Sequence, residues 1–259
     1  MHLACLTVSL LAAAANQLSG AVKLQIVDGR PVVDGVFVNG HGPYRFLLDT
    51  ATTLNHIEAG LARSIGLTAS FRTELTSSVG RTIVTGGEGI EVRLEDAVAG
   101  DQKFLFAGLN VVHQLASGIH GILGQEFLAR FDYRLDLRGK QLEFGSQERH
   151  GHRAPFRLTS GRPTVTTSLG DLVLDSGAAS VILFGVRAEG SAGGFIRTLA
   201  GSQMVGMVYR RLAIEGRRVW SGDAVALDGQ TEPGVAGLMP LSLFRSVYFC
   251  NSSGYAVFE

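Results

Sequence analysis

The chain says the same thing twice, and that constrains its fold more than any other feature. Gly29-Arg30-Pro31 opens a stretch "VVDGVFVNGHGPYRFLLD" that ends on Asp49; Gly161-Arg162-Pro163 opens "TVTTSLGDLVLD", ending on Asp175. Each aspartate is followed by a hydroxyl residue and a small one, Thr50-Ala51 and Ser176-Gly177. Further on, "GRTIVTGGEGIEVRL" is answered loosely by "IRTLAGSQMVGMVYRRL". Each half then closes alike, with "GILGQEFLARFDYRLDLRGKQLEF" from Gly121 matching "GLMPLSLFRSVYFCNSSGYAVF" from Gly237. Echoes kept in the same order argue for two duplicated lobes.

Local signals give each lobe a β character. Val32–Val38 and Tyr44–Leu48 read as strands joined through the "NGHGP" turn. "IEAGLARSIGL" has helical spacing and stops at Gly66, a C-cap residue, and "GQEFLARF" reads as a short helix. Arg81–Val84 and Ile90–Leu94 read as a hairpin whose tip is the glycine-rich "TGGEG". The polar, turn-rich segment Ser146–Pro163 marks the lobe boundary. The expected organisation is an N-terminal lobe over 21–146 with Asp49, a linker over 147–162, and a C-terminal lobe over 163–259 with Asp175.

Composition sets the outer limits. With 259 residues, 46% hydrophobic and no net charge, the chain can bury a core and carries no signature of disorder or nucleic-acid binding. The apolar run Leu3–Ala15 followed by small residues reads as a signal peptide over 1–20, so an exported, periplasmic or secreted protein is expected. No later run is long enough for a stable membrane span. Removal of that leader takes Cys5 and leaves Cys250 unpaired, so no disulfide is expected.

The doubled motif resembles the aspartic peptidases of the pepsin and retropepsin type, most closely their bacterial and retroviral-type members. Their pattern is an apolar strand ending in Asp-Thr/Ser-Gly, followed later by two apolar residues and a glycine. Here Leu47-Leu48-Asp49-Thr50-Ala51 goes with Ile122-Leu123-Gly124, and Val173-Leu174-Asp175-Ser176-Gly177 goes with Leu238-Met239. The resemblance runs from about Leu24 to the C-terminus and implies an all-β, bilobal acid-protease barrel fold with a few short helices. It implies an aspartic endopeptidase in which Asp49 and Asp175 activate a water molecule. Thr50, Ala51, Ser176 and Gly177 would support the active loops, Ile122-Leu123 and Leu238-Met239 would pack behind them, and "TGGEG" would be a flap. A peptide or protein substrate would lie in the inter-lobe cleft of a monomer, without cofactor or metal. Two carboxylates a few ångströms apart suit such chemistry because like charges there resist ionising together and hold one proton between them.

Two positions depart from the pattern: Ala51 and Pro240 stand where glycine is usual. They keep open a second function, a catalytically weak or inactive peptide-binding homologue of the same fold. Other chemistries fit less well. Ser176 has no histidine in a comparable motif and no Gly-x-Ser-x-Gly around it, against a serine peptidase. His150-Gly151-His152 lacks the spacing of a metal site, and "TGGEG" lacks the Lys-Ser/Thr of a phosphate loop. A two-carboxylate glycosidase would want sugar-stacking aromatics, and the chain has one Trp, Trp220. Glu126, Asp132 and Asp136 read as surface charges.

Overall fold

The computed structural model describes residues 20–77, 80–145, 150–188, 193–199, 201–228 and 232–259; all of the expected signal segment but Gly20 lies outside them. Alternation of buried and exposed positions builds the strands: in Ala21–Val27, Val22 and Leu24 point inward while Lys23 and Gln25 face out. Few of the described residues are helical: Ala59–Ser64, Asn110–Leu115, Gln125–Leu128 and the 3₁₀ turn Leu241–Leu243. The first ends as its sequence dictates, with Gly66 in the left-handed region just past the cap.

The duplication is visible strand by strand. In the N-terminal lobe the order is Arg30–Val38, His41–Leu48, Gly121–Leu123, Asn55–Glu58, Ala97–Ala107, Gly80–Leu94, Phe71–Ser77. In the C-terminal lobe it is Arg162–Thr167, Gly170–Asp175, Gly237–Pro240, Ile182–Phe184, Arg217–Leu227, Gly201–Ile214, Gly193–Thr198. Each order closes on itself, the first strand also pairing with the sixth, so each lobe is a barrel. Even the parallel pairs recur: His41–Leu48 with Gly121–Leu123, and Gly170–Asp175 with Gly237–Pro240.

A six-stranded antiparallel layer joins the lobes, ordered His152–Pro155, Tyr255–Phe258, Ser246–Cys250, Tyr133–Asp136, Gln141–Phe144, Ala21–Val27. The join between Tyr133–Asp136 and Ser246–Cys250 is where the halves meet. Buried Arg134 ties it together: its guanidinium lies 3.2 Å from Asp136, donates to Ser246 Oγ at 3.0 Å and to Glu259 at 3.1 Å. Asp136, expected at the surface, is therefore buried beside its cation. Asp132 likewise reaches across to accept from the Ser252 backbone N–H and hydroxyl. Of the expected linker, 152–155 and 157–159 are strands of these sheets.

The glycine-rich "TGGEG" is not a hairpin tip. Residues 85–89 lie inside the single long strand Gly80–Leu94, at a bulge between Gly87 and Ile90. Glycine is required there for space: a β-carbon on Gly86 would sit 2.3 Å from the Phe71 ring and one on Gly87 2.8 Å from the Phe106 ring. The hairpin at this edge of the sheet is Phe71–Ser77 with Gly80–Leu94, paired as far as Ser77 with Gly80. Its counterpart in the other lobe is Gly193–Thr198 with Gly201–Ile214.

Candidate active site

Each aspartate sits at the end of a strand whose last residues are buried, Phe46–Leu48 before Asp49 and Leu172–Leu174 before Asp175. Leu48 pairs in parallel with Leu123, and the Asp49 N–H donates to the Leu123 carbonyl at 3.0 Å. In the other lobe Leu174 pairs with Met239 and Asp175 with Pro240. The apolar pairs Ile122-Leu123 and Leu238-Met239 thus flank the two loops.

Four hydrogen bonds lock the loops to each other across the lobes. The Thr50 N–H donates to Ser176 Oγ and the Ser176 N–H to Thr50 Oγ1, both at 3.0 Å. The hydroxyls then donate one step back along the opposite strand, Thr50 to the Leu174 carbonyl at 2.7 Å and Ser176 to the Leu48 carbonyl at 2.8 Å. Both side chains are buried, so every donor and acceptor here needs its partner. Gln125, in the short helix after Gly124, adds a bond from its side-chain amide to the Thr50 carbonyl at 2.7 Å.

The small residues act through space. A β-carbon on Gly177 would meet Asp49 Oδ2 at 2.7 Å, so Asp49 lies directly against the opposite loop. Ala51 is not among the residues with positive φ, and its N–H donates to Asp49 Oδ1 at 2.9 Å. Its methyl group therefore demands no left-handed backbone. Pro240 is matched by a second change. In the N-terminal lobe the Gly124 N–H donates to the Asn55 side chain at 3.0 Å. By register with Gly121 and Gly237, the C-terminal counterparts are Pro240, which has no N–H, and Val181, which has no acceptor. Neither group is left unpaired.

Burial governs the charge state. Asp175 is 5% exposed, and burial first, then the neighbouring Asp49 charge, pushes its carboxyl up to about 8. Burial also raises Asp49, opposed by the Thr52 hydroxyl and the Ala51 and Thr52 backbone N–H groups. The pair is not symmetric. Asp49 receives a donor on each oxygen, Ala51 N–H on Oδ1 and the Thr52 hydroxyl on Oδ2 at 2.7 Å. Among the described residues Asp175 receives donors on Oδ1 alone, the Gly177 and Ala178 N–H groups, because Ala178 stands where the first lobe has Thr52.

Two barrels, each lending one aspartate to a shared, hydroxyl-locked junction, decide the comparison with known proteins. The crystal structure of the aspartic proteinase from Irpex lacteus superposes with a TM-score of 0.54 over 92% of this chain and 96% of that one, at 11% identity. The chain has the pepsin-like aspartic peptidase fold. Residues 35–127, the part of the first lobe that holds Asp49, match a family model described as aspartyl protease. No curated protein matches the chain in sequence.

Relative to the sequence-based expectation for an aspartic peptidase, the structure brings Asp49, Thr50, Ala51, Asp175, Ser176 and Gly177 to one place. It adds Thr52, Asn55 and Gln125, polar residues that motif reading passed over. It also adds Leu199, at the turn of the C-terminal hairpin, which packs onto an N-terminal-lobe cluster of Val32, Leu47, Leu109, Val112, Ile119 and Ile122. A cavity of about 490 Å³ is lined by Leu75, Ile83, Phe106 and Asn110 of the N-terminal lobe and by Leu199 of the C-terminal lobe. No group of three metal-ligating side chains occurs among the described residues.

Proposed function

We propose that this chain is an aspartic endopeptidase in which Asp49 and Asp175 together activate one water for attack on a peptide carbonyl. The observation that carries this reading is the reciprocal Thr50–Ser176 lock, which joins the two aspartate-bearing loops and sets Asp49 against Gly177 of the other lobe. In this mechanism the pair keeps a single proton, on Asp175 Oδ2, which receives no donor from the described residues. Asp49, with donors on both oxygens, is the anion and general base. As water attacks, Asp49 takes its proton and Asp175 gives its own to the carbonyl oxygen. The proton on Asp49 then passes to the leaving amine as the C–N bond breaks, and the carbonyl re-forms with return of its proton to the pair.

An extended peptide would lie between the lobes, with backbone hydrogen bonds for affinity and side-chain pockets for selection. Leu199 rests on the apolar wall that includes Leu47 and Ile122, so entry of substrate displaces the C-terminal hairpin. Both loops come from one chain, which is consistent with a working monomer. Export through the N-terminal apolar segment completes the proposal, tested by N-terminal sequencing of the mature protein.

The test is cleavage of a peptide library from mildly acidic to neutral pH by the wild type, Asp49→Asn and Asp175→Asn. Loss of cleavage in both variants supports the mechanism. Cleavage that survives either substitution rejects it, and peptide binding without turnover in the wild type identifies a binding homologue instead.

A further inference from the structure

The repeated Gly-Arg-Pro tripeptides occupy identical turns. Asp28-Gly29 has φ of 48° and 78°, Ser160-Gly161 has φ of 50° and 76°, and each pair connects two antiparallel strands as a two-residue hairpin turn. An arginine follows each turn at once, Arg30 in the N-terminal lobe and Arg162 in the C-terminal lobe. Both turns reach the other lobe. Arg30 Nε donates to the Gly177 carbonyl at 2.6 Å, and a β-carbon on Gly161 would lie 3.1 Å from Thr53 Cγ2. Both arginine side chains are 16% exposed, well shielded for cations. Among the described residues Arg30 pairs with Asp28 and Arg162 with Glu232.

We infer that Arg30 and Arg162 are a matched pair of positioning residues, each lent by one lobe to the carboxyl-bearing loop of the other. This deepens the endopeptidase reading and rests on it for its catalytic meaning. Arg30 fixes the Gly177 carbonyl, and with it the loop on which Asp175 turns. The turn that carries Arg162 rests against the Asp49 loop, where Gly161 faces Thr53. Their charges favour the ionised carboxyls, Arg30 acting on Asp175 and Arg162 on Asp49. Burial pulls the other way, toward protonation of both, while mutual repulsion only keeps one proton on the pair. The groups facing the pair are thus Arg30 and Arg162 from the two turns, with Asp28 and Glu232 behind them. The arginines keep the second proton off the pair, so that one carboxylate remains available as base.

The experiment follows the carboxyl ¹³C resonances of Asp49 and Asp175 through a pH titration, which does not depend on turnover. Arg30→Met and Arg162→Met each shift the titration of the pair to higher pH, whereas Arg30→Lys and Arg162→Lys restore most of it. In the cleavage assay the acidic limb of kcat/KM moves upward in the Met variants by the same amount. Should a Met variant fail to fold, Asp28→Asn and Glu232→Gln test the idea with opposite sign: each unmasks an arginine and shifts the titration to lower pH. Titrations unmoved by all of these changes, or moved equally by Lys and Met, overturn the inference. A shift in the titration without any cleavage by the wild type upholds the arginine role and rejects the endopeptidase reading, so the two failures are distinguishable.

Discussion

Thr50→Val removes one oxygen from the centre of the molecule and keeps its shape. The Thr50 hydroxyl donates to the Leu174 carbonyl at 2.7 Å and accepts from the Ser176 N–H at 3.0 Å, in a site closed to solvent. Valine fills the same volume, so no cavity term enters, but one carbonyl and one N–H lose their partners. At about 1–3 kcal/mol for each buried group left unpaired, with part recovered by relaxation, the expected loss is about 2–4 kcal/mol. Thr50→Ser keeps the hydroxyl and gives up one buried methyl, for about 1 kcal/mol. The assay is equilibrium urea unfolding followed by far-UV circular dichroism and by Trp220 fluorescence, the two transitions being required to coincide. Combining Thr50→Val with Ser176→Ala costs less than the sum of the single changes, because the first already releases the loops. The reasoning fails if Thr50→Val lies within ~0.5 kcal/mol of the wild type, or costs no more than Thr50→Ser.

Other consequences follow from the same geometry. Because Asp175 holds its proton up to about 8, kcat/KM persists through neutral pH and falls on an alkaline limb near that value; a limb complete below pH 6 contradicts the assignment. Gly177→Ala drives a methyl into Asp49, whose Oδ2 lies 2.7 Å from the new carbon, and lowers kcat by about 100-fold or more with the fold intact by circular dichroism. A variant with wild-type kcat would show that the loops do not meet as described. Stability carries its own pH signature. Asp175 has a folded value raised from 3.8 to about 8, so its favourable contribution is full below about 4 and fades as pH rises through that window. Buried His56, held down to about 4 from 6.5, acts in the opposite sense, losing stability as pH falls below 6.5. The two oppose each other between about 4 and 6.5; above 6.5 the His56 effect is complete while that of Asp175 continues to fade. Urea midpoints therefore decline from pH 6.5 to 8 in the wild type and much less in Asp175→Asn; equal declines in both would refute this.

Much of this was legible in the sequence because the duplication is carried by residue types with few alternatives. An aspartate behind a run of leucines, followed by a hydroxyl and a small residue, has little else to do twice in one chain. Gly121 and Gly237 were aligned by sequence and prove equivalent in structure: a β-carbon on either would strike the carbonyl of His56 or Ile182, at 2.5 and 1.9 Å. The glycine-rich "TGGEG" misled because a bulge and a turn ask for the same residue; aromatic neighbours from distant strands, Phe71 and Phe106, decide which it is. Asn55, Thr52 and Gln125 were passed over because a lone polar residue carries no local signature. A signal existed in the comparison of the halves. Asn55 and Gly124 change together to Val181 and Pro240, which marks a hydrogen bond made in one lobe and dispensed with in the other. Arg30 and Arg162 were visible as repeats, but their reach into the opposite lobe is a property of the assembled barrels.

The central claim is that Asp49 and Asp175 stand in electrostatic contact and share one proton. Titrating the Asp175 carboxyl carbon in the wild type and in Asp49→Asn tests it most directly. With the Asp49 charge removed, the account predicts that Asp175 titrates at distinctly lower pH than in the wild type. An Asp175 titration that does not respond to the loss of Asp49 would contradict it.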